Sequence, residues 1–538
     1  MRRFALPVAI LVALASAASA AASPVFVFKG HGWGHGVGLS QYGALGRAND
    51  GKDYKQILGF YYDGTNVGTT SQRKIRVLLT AGRSSVTLRS SQDFKVGAKT
   101  LDGLMDWKVV PTSDGKVRVV GKGKFGDPAI AKPGEGFLKI NGLRYRGDLK
   151  IYNRGGKLAV VNVVGLQSYL YSVVPREMPS SWPLEAVKAQ AVAARGYAVR
   201  AARASWYDIY DDTNDQVYGG LDYGSGEDPG STTAVKATAG EVLKYGGDVI
   251  SAYFSSSNGG RTAASGDTWF TQEPYLISKR DRFDLNGSNP NRNWTVVLSP
   301  RALQNRFGAA KTPADAIVTE RKSGRVAAVR LTRPGWSHTF TDPDGGPGPE
   351  WIRTDALGLR SSRFDFGVLD ATPTKTKTVC SARLRVNVLA REASGVTLQR
   401  RRSGASSWTD MSMTKDDVAH FHAIDRPCRA TSYRLHSSAA NSSPVAVKVS
   451  PKIVFSATQP ANDGLKGSVR PLSLAGQTVH VDRKRNDGTW KNVGSAVVKS
   501  DGKWHAHFNA VSGTYRARLA PPSSTGLVPG STGAFNFN

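Results

Sequence analysis

The hydrophobic pattern of the chain changes its period near residue 180. Between Ile75 and Val164, short apolar runs are rich in β-branched residues and are bounded by glycine, aspartate and serine, which predicts a series of β-strands. The segment from Ser180 to about Ala202 is rich in alanine and predicts a helix, with Ser181 as its cap and Pro183 in its first turn. Strand patterns resume afterwards, at Glu241–Ser256 and Arg325–Leu331. The pattern therefore predicts an α+β domain, mixed β structure with a central alanine-rich helix.

The C-terminal part of the chain contains an internal repeat. Trp408 and Tyr433 recur 82 residues later as Trp490 and Tyr515. Each copy consists of about 80 residues of short alternating strands, a pattern typical of small β-sandwiches. We therefore expect two all-β, sandwich-like modules to follow the α+β domain.

The first twenty residues have the composition of a secretory signal peptide. Arg2 and Arg3 precede the apolar run Phe4–Ala15, and Ala18-Ser19-Ala20 is a small-x-small cleavage site. The apolar run is too short to cross a bilayer core of about 30 Å, and no later stretch approaches the roughly 18 apolar residues that a membrane helix needs. We therefore expect a secreted protein without a later membrane span, with an uncleaved N-terminal anchor as the alternative.

These patterns divide the chain into consecutive parts. Pro373 and alternating threonine and lysine interrupt the strand pattern and predict a linker between the α+β domain and the first module. The predicted parts are a signal peptide (1–20), an α+β domain (21–370) with a β-rich subdomain (75–165), a linker (371–378) and two modules (379–450 and 451–538).

Charge and cysteine content narrow the classes of protein and partner. The chain has 72 Lys and Arg against 42 Asp and Glu, a formal net charge of +30, which suits polyanions such as cell-wall polymers. The basic residues are scattered and no nucleic-acid motif occurs, so we expect no nucleic-acid partner. Two cysteines exclude a disulfide-rich scaffold. Because both fall in the first module of an exported protein, we expect Cys380 and Cys428 to pair, with two unpaired thiols as the alternative.

Glu177 is a candidate catalytic acid. It lies between a strand-like run and the alanine-rich helix, four residues before the predicted cap. Apolar neighbours would raise its pKa, as a proton donor requires, whereas the helix dipole and Arg176 would lower it. The alternative is an ordinary solvated surface charge.

Two cations lie on the alanine-rich helix. Lys188 and Arg195 share a stripe with leucine and alanine, where a charge is costly unless it is paired or faces a wet cleft. They either face a substrate or form structural ion pairs, for example Lys188 with Glu185 one turn away.

A glycine-rich segment near the start of the chain contains His31 and His35. Their spacing would place both rings on one side only in a helix, which the glycines disfavour, and no further ligand follows, so we expect no metal there. The glycines instead indicate close approach by a flat ligand or another chain segment. The segment Ser255–Gly260 lacks a nucleophile elbow, which argues against serine catalysis.

Several separated motifs together resemble the SpoIID/LytB domain of the sporulation stage II protein D family. The resemblance covers roughly residues 25 to 368, and the helix-entry motif is its most specific part. The matching segments are Leu166–Leu170, Val174–Pro179, Trp182–Arg195, Asp212–Tyr218, Ser255–Gly260 and Leu357–Phe364.

The resemblance implies cleavage of peptidoglycan glycan strands by lytic transglycosylation, without a cofactor. Glu177 is the implied acid that protonates the glycosidic oxygen between N-acetylmuramic acid and N-acetylglucosamine. The same carboxylate would then take the proton of the muramyl C6 hydroxyl, which closes a 1,6-anhydro ring. The implied substrate-binding residues are Lys188, Arg195, His35, Gln41, Gln216, Tyr218, Ser256 and Ser257.

The sequence departs from the family pattern at the positions that bind zinc in some relatives. Those relatives carry His and Cys near Asn214-Asp215 and a His near Ser255, and these ligands are missing here. Because these ligands are missing, we expect no zinc in the core of the domain.

A second departure concerns the order of the motifs. The glycine-rich phrase Gly32–Ala44 normally ends the family domain, whereas here it stands near the start of the chain. We therefore infer a permuted arrangement in which residues 25–62 lie beside Phe364–Phe366 and line the Glu177 cleft.

Two other functions remain open alongside the transglycosylase. The family name also covers non-catalytic wall-binding proteins that enhance an amidase, which would make an amidase a partner. A glycan hydrolase is the other alternative, with Asp215 as a second carboxylate beside Glu177.

Overall fold

A computed structural model describes residues 24–72, 74–222, 227–391, 395–460 and 462–537. The predicted signal peptide at 1–20 lies outside these residues. The described chain is mostly β structure in many separate sheets, with some helices, which agrees with a mixed α+β region and additional β modules. Over the described ranges, no helix combines the length and the apolar character needed to span a bilayer.

The helices lie in the first two thirds of the described chain. The alanine-rich helix is present but begins at Leu184, and Pro183 is its N-cap, with a carbonyl that accepts from the Ala186 and Val187 N–H groups. The predicted Ser181 cap is therefore wrong. The helices are α1 (Gln41–Asn49), α2 (Tyr54–Tyr61), α3 (Leu166–Glu177), α4 (Leu184–Arg200), α5 (Pro229–Ala237), α6 (Ser265–Thr268), α7 (Pro300–Phe307) and α8 (Pro349–Trp351).

The strands predicted between Ile75 and Val164 are present and form two sheets. Inward residues alternate with outward ones in Val86–Ser90, whereas Lys157–Gly165 is buried on both faces over most of its length. One sheet has the order Ile209–Tyr210, Lys74–Arg83, Lys157–Gly165, Asp148–Arg154, Ala129–Lys132, Phe94–Val96 and Lys99–Leu101. The other has the order Gly123–Phe125, Val117–Val119, Trp107–Pro111, Val86–Ser90, Leu138–Ile140 and Leu143–Tyr145.

Three smaller sheets accompany the helices. The parallel pair Leu39–Ser40 and Phe254–Ser255 matters most, because it joins the glycine-rich segment to the Ser255–Gly260 motif. The other two comprise Asp248–Val249, Glu241–Tyr245 and Asn66–Thr69, and Asp315–Lys322, Arg325–Arg333 and Trp336–Phe340.

A six-stranded sheet connects the α+β region to the first module. Phe364–Pro373 pairs with Leu384–Arg391, with Pro373 opposite Val386. The predicted linker at 371–378 is therefore wrong: most of it is strand, because its backbone partners lie beyond it in the chain. The sheet order is Trp294–Leu298, Val25–Gly30, Phe364–Pro373, Leu384–Arg391, His420–Asp425 and Thr414–Lys415.

The remaining strands belong to additional β modules. The first adds Lys377–Val379, Val445–Ser450, Thr431–His436, Thr397–Arg402 and Thr409–Met411. The second has one sheet of Lys452–Phe455, Leu465–Arg470 and Lys503–Ala506, and another of Trp490–Val497, Thr478–Lys484, Gly513–Leu519, Gly530–Ser531 and Phe535–Phe537. The predicted disulfide between Cys380 and Cys428 is formed.

The structure repeats the side-chain pattern seen in the sequence. The Arg434 guanidinium lies 4.2 Å from the centre of a Trp408 ring, and Arg516 lies 4.5 Å from Trp490. Trp490 lies 82 residues after Trp408, and Arg516 lies 82 residues after Arg434. The repeat is therefore structural as well as sequential.

Candidate functional site

The glycine-rich segment folds back onto the end of the α+β domain. Val25–Gly30 pairs antiparallel with the strand that begins at Phe364, and Phe28 lies opposite Phe366. Farther along, Trp33 and Ser257 exchange backbone hydrogen bonds of 2.8 and 3.1 Å. The predicted position beside Phe364–Phe366 is confirmed.

Alternate glycines in this segment allow another part of the chain to approach closely. Gly36 has φ +74°, and an added Cβ would lie 1.7 Å from Arg325 Nη2. Gly38 has φ +68°, and its added Cβ would lie 2.0 Å from the Tyr253 carbonyl oxygen. The motif therefore packs protein against protein at these positions, where a side chain would be strained as well as obstructed.

The buried carboxylate of Asp284 joins the two motifs. It accepts the Ser40 hydroxyl at 2.5 Å and the Ser257 hydroxyl at 2.8 Å. It also accepts the N–H groups of Gly259 and Gly260, at 2.8 and 3.1 Å, and that of Asn258 at 3.2 Å. Asp284 therefore holds the Ser255–Gly260 loop against the N-terminus of α1, where Ser40 is the cap.

Glu177 is the last residue of α3, which corrects its predicted position in a loop near a helix N-terminus. Its side chain is half-buried, and Oε2 lies 3.4 Å from the Nε2 of Gln41, the first residue of α1. The Val217 N–H donates to Oε1, also across 3.4 Å. The permuted segment thus reaches Glu177, as predicted.

The surroundings of Glu177 favour its neutral form. Burial raises the pKa of this carboxyl to about 7, while the donors Val217 N–H and Gln41 act in the opposite direction. The end of a helix also disfavours a negative charge, because the unpaired carbonyls carry partial negative charge there. Glu177 can therefore hold a proton near neutral pH and is still partly open to solvent.

Two aromatic residues, Tyr42 and Trp182, lie near Gln41 and Glu177 in the sequence. The rings of Tyr42 and Trp182 are 5.0 Å apart at their centroids and both are half-buried. Tyr42 directly follows Gln41, and Trp182 precedes α4 by two residues. Half-buried rings of this kind offer an apolar surface that a sugar ring can contact.

His35 is held as a neutral ring. Its Nδ1 accepts the Val37 N–H at 3.0 Å, and the ring packs against Trp269 at 5.1 Å between centroids. Burial lowers the pKa of His35 to about 4. His31 has a different hydrogen-bond partner: its Nδ1 donates to the Arg292 carbonyl at 2.7 Å.

Lys188 and Arg195 of α4 have structural partners, which corrects the role predicted for Arg195. Arg195 is fully buried and donates to the Glu241 carbonyl at 2.9 Å and to the Val235 carbonyl at 3.3 Å. It therefore braces α4 from inside rather than touching a substrate. Lys188 Nζ lies 2.7 Å from the Glu185 carboxylate, the ion pair that was the alternative interpretation.

Gln216 and Tyr218 flank the Val217 donor and are also buried, so neither is placed to bind substrate. Gln216 accepts the Tyr169 hydroxyl at 3.0 Å and donates to the Ala194 carbonyl at 3.3 Å. The Tyr218 hydroxyl donates to Asn162 at 2.7 Å. These contacts fix the backbone between them and so aim the Val217 N–H at Glu177.

The two serines of the Ser255–Gly260 motif differ in exposure. Ser257 is buried and its hydroxyl serves Asp284, which corrects its predicted role in substrate binding. Ser256 is half-buried; its carbonyl accepts the Tyr42 N–H at 3.1 Å and its hydroxyl lies 3.3 Å from Asn291 Nδ2. Ser256 therefore remains open to contact with a ligand.

Asp215 is committed to protein partners. Its side chain is fully enclosed and accepts the Tyr197 hydroxyl at 2.6 Å, the Tyr210 N–H at 2.8 Å and the Arg203 Nε at 3.1 Å. With its oxygens occupied by these donors, it is not placed to activate water.

Sequence reasoning missed another carboxyl on the same loop. Burial, with a contribution from the neighbouring Asp212, raises the pKa of Asp211 to about 7. Its backbone carbonyl accepts the Tyr218 N–H at 2.9 Å. The adjacent Asp211-Asp212 pair was the available signal, because like charges in sequence disfavour each other's ionisation.

Known proteins resemble the part of the chain that carries this site. Residues 154–245 match a family model described as Stage II sporulation protein. An uncharacterised protein of Brachyspira hyodysenteriae is 30% identical over 278 residues, which cover 48% of this chain and 73% of that relative. The chain belongs to the stage II sporulation protein D family. In this member of the family, the matched range contains Glu177 and Val217 but not Gln41.

Two relatives that carry functional names are also similar. The amidase enhancer of Bacillus subtilis (strain 168) is 41% identical over 163 residues, 30% of this chain and 21% of that protein. Stage II sporulation protein D of Bacillus amyloliquefaciens is 32% identical over 224 residues, 38% of this chain and 61% of that protein. The chain thus spans less than two thirds of either relative.

Proposed function

We propose that the protein is an exported peptidoglycan lytic transglycosylase with Glu177 as its catalytic acid and base. The observation that carries the proposal is the half-buried Glu177 carboxyl with a pKa raised to about 7, held between Gln41 and Val217. Such a group is protonated often enough to donate and is a useful base once it has donated. The membership in the family and the net charge of +30 support a wall polymer as the partner.

The reaction needs a single carboxyl because the sugar supplies the nucleophile. Glu177 donates its proton to the glycosidic oxygen as the bond from that oxygen to the muramyl C1 breaks. The muramyl C6 oxygen then bonds to C1 and its proton passes to Glu177, so the product is a 1,6-anhydro sugar and no water is consumed. A hydrolase would require a second carboxylate to activate water, and Asp215 is engaged elsewhere.

The contacts of Glu177 suit both halves of this cycle. After proton donation, the carboxylate would be stabilised by the Gln41 Nε2 and Val217 N–H donors, which approach opposite oxygens. Before donation, burial favours the protonated form of the Glu177 carboxyl. Tyr42, which follows Gln41 directly, and Trp182 would provide an apolar surface for a sugar ring.

Product analysis tests the proposal. Purified mature protein is incubated with intact and peptide-stripped glycan strands, and the fragments are identified by mass spectrometry. We expect fragments ending in 1,6-anhydro-N-acetylmuramic acid, each one water lighter than the hydrolysis product, and none with Glu177→Gln. Reducing muramic acid ends would indicate hydrolysis instead and would contradict the proposal.

A non-catalytic amidase enhancer is the second candidate, and the 41% identity to a protein of that name favours it. This function predicts binding to sacculi and stimulation of an added amidase, with no glycan fragments from the protein alone. Glu177→Gln separates the two functions, because stimulation by an enhancer would survive the substitution while glycan cleavage would not.

Gln41→Leu is expected to move the pH dependence of glycan cleavage upward. Leucine keeps most of the volume but removes the donor that lowers the Glu177 pKa, so the carboxyl should stay protonated to higher pH. The pH at which kcat/KM falls on the alkaline side is therefore expected to rise by several tenths of a pH unit or more. The value of kcat is expected to fall, because the carboxylate loses a hydrogen-bond donor. Activity measured from pH 5 to 9 checks this, and a downward shift would refute the assigned contact.

A further inference from the structure

The second β module carries two histidines that point to the same side of one strand. Along Lys503–Ala506, Trp504 and Ala506 are buried, so the alternation turns His505 outward together with His507 just beyond the strand. The two imidazole rings are 3.9 Å apart at their centroids. Two histidines two positions apart on a strand form a pair of metal ligands that the backbone has already aligned.

A glycine brings a carboxylate to the same place. Leu465 pairs with Ala506, which puts Gly464 next to the strand and Asp463 beside the rings. Gly464 has φ +74°, and an added Cβ would lie 1.8 Å from the Ala506 carbonyl oxygen, so only glycine fits. Asp463 Oδ1 lies 2.7 Å from His507 Nδ1, and Oδ2 lies 3.7 Å from His505 Nε2.

We propose that Asp463, His505 and His507 bind a divalent first-row transition ion of the zinc class. One ligand atom from each residue lies within 4.8 Å of the others, and within the described ranges no other group of three such side chains is placed this way. Two imidazoles and one carboxylate suit Zn²⁺, Ni²⁺ or Cu²⁺ rather than the oxygen-seeking Mg²⁺ or Ca²⁺. Water would complete the coordination, because the site faces solvent.

Binding exchanges protons for the ion. The His505 Nε2 now donates to the Asp463 carbonyl at 2.6 Å, so this nitrogen must give up its proton to become a ligand. The bound ion would replace that contact and fasten the Asp463 loop to the strand.

A neighbouring cation opposes binding and offers a directional test. Lys466 lies directly opposite His505 in the ladder, so both side chains leave the same face of the sheet. Its positive charge repels a metal ion. Replacing Lys466 with methionine keeps much of the side-chain length and is expected to tighten binding several-fold.

Calorimetric titration of the full mature chain with Zn²⁺ tests the site, using untagged protein stripped with a chelator. We expect one equivalent bound by the parent chain and affinity weakened at least tenfold in His505→Ala, His507→Ala and Asp463→Asn. His436→Ala is the matched control, since this surface histidine bonds to an amide, Asn441, at 2.7 Å. Visible absorption of the Co²⁺-loaded chain reports the same ligands independently.

Each outcome of the titration decides the proposal. One-equivalent binding that depends on Asp463, His505 and His507, is kept in His436→Ala and is tightened in Lys466→Met supports it. Absence of stoichiometric binding, binding that survives in His505→Ala and His507→Ala, or weaker binding in Lys466→Met would overturn it. These side chains are partly or fully exposed, so the metal-free variants are expected to have the same melting temperature as the metal-free parent. Thermal unfolding followed by circular dichroism checks this.

Discussion

Replacing Glu177 with glutamine is expected to lower the rate of glycan cleavage by a factor on the order of 10³ or more, with little change in substrate binding. Glutamine fills the same space but cannot donate a proton to the glycosidic oxygen or accept one from the C6 hydroxyl. A factor of 10³ corresponds to about 4 kcal/mol of lost transition-state stabilisation. Initial rates on glycan strands, with kcat and KM separated, measure the effect.

The same group predicts the pH dependence of the parent enzyme. Because burial raises the pKa of Glu177 to about 7, the proton-bearing form predominates below that pH and is lost above it. The rate constant kcat/KM is therefore expected to fall on the alkaline side of about pH 7. A profile that stays flat from pH 6 to 9 would exclude Glu177 as the donor.

Folding controls give the Glu177 result its meaning. Glu177→Asp keeps the carboxyl but withdraws it by one methylene, so we expect an intermediate loss of rate. Glu177→Gln should also be slightly more stable than the parent at pH 8, because the parent then carries a charge that burial disfavours. That difference should shrink as the pH falls toward 5, where the carboxyl of the folded parent is protonated. Unchanged turnover in a folded Glu177→Gln protein would remove the catalytic proposal.

Asp284→Ala is expected to destabilise the α+β domain by about 3 kcal/mol or more. The substitution removes the acceptor of two hydroxyls and of the Asn258 and Gly259 N–H groups in a buried site, while the Gly260 N–H keeps the Asn258 side-chain oxygen at 2.8 Å. The contact between Ser40 and the Ser255–Gly260 loop would loosen, and Gln41 follows Ser40 directly. We therefore expect loss of glycan cleavage as well as earlier unfolding.

Urea unfolding followed by circular dichroism measures the Asp284 effect. Asp106→Ala is the matched control, because Asp106 is exposed and pairs with Arg89 at 3.4 Å on the surface, where such a pair contributes at most about 1 kcal/mol. The stability of Asp284→Asn should fall between those of Asp284→Ala and Asp106→Ala, since the asparagine amide nitrogen would face N–H donors. Parent-like stability in Asp284→Ala would mean that these hydrogen bonds are replaced in the variant.

Local patterns in the sequence predicted several features that the structure confirms. The β-branched apolar runs of Ile75–Val164, bounded by turn residues, predicted strands because such side chains pack well on a pleated sheet. The 82-residue spacing of Trp408 and Trp490 predicted repeated modules, and the modules place an arginine on each tryptophan. The family motif also directed attention to Glu177; burial raises the pKa of this carboxyl to about 7, and its catalytic role is a proposal.

Other predictions failed because they concerned which way a side chain points. Arg195, Gln216 and Ser257 belong to matched motifs, yet all three face the interior and bond to protein groups. A motif specifies residue types and spacing, but contacts with other segments decide whether a position faces a cleft or the core. The linker at 371–378 failed for a similar reason, since its strand partner lies farther along the chain.

The sequence by itself determined which segments have strand or helix patterns, the internal repeat and the position of Glu177 within the matched motif. Only the tertiary structure decided what that residue can do. The Glu177 carboxyl meets Gln41 from 136 residues before it and Val217 from 40 residues after it. Its raised pKa arises from burial among segments far apart in the chain, and burial is a property of the packed molecule that no local pattern contains.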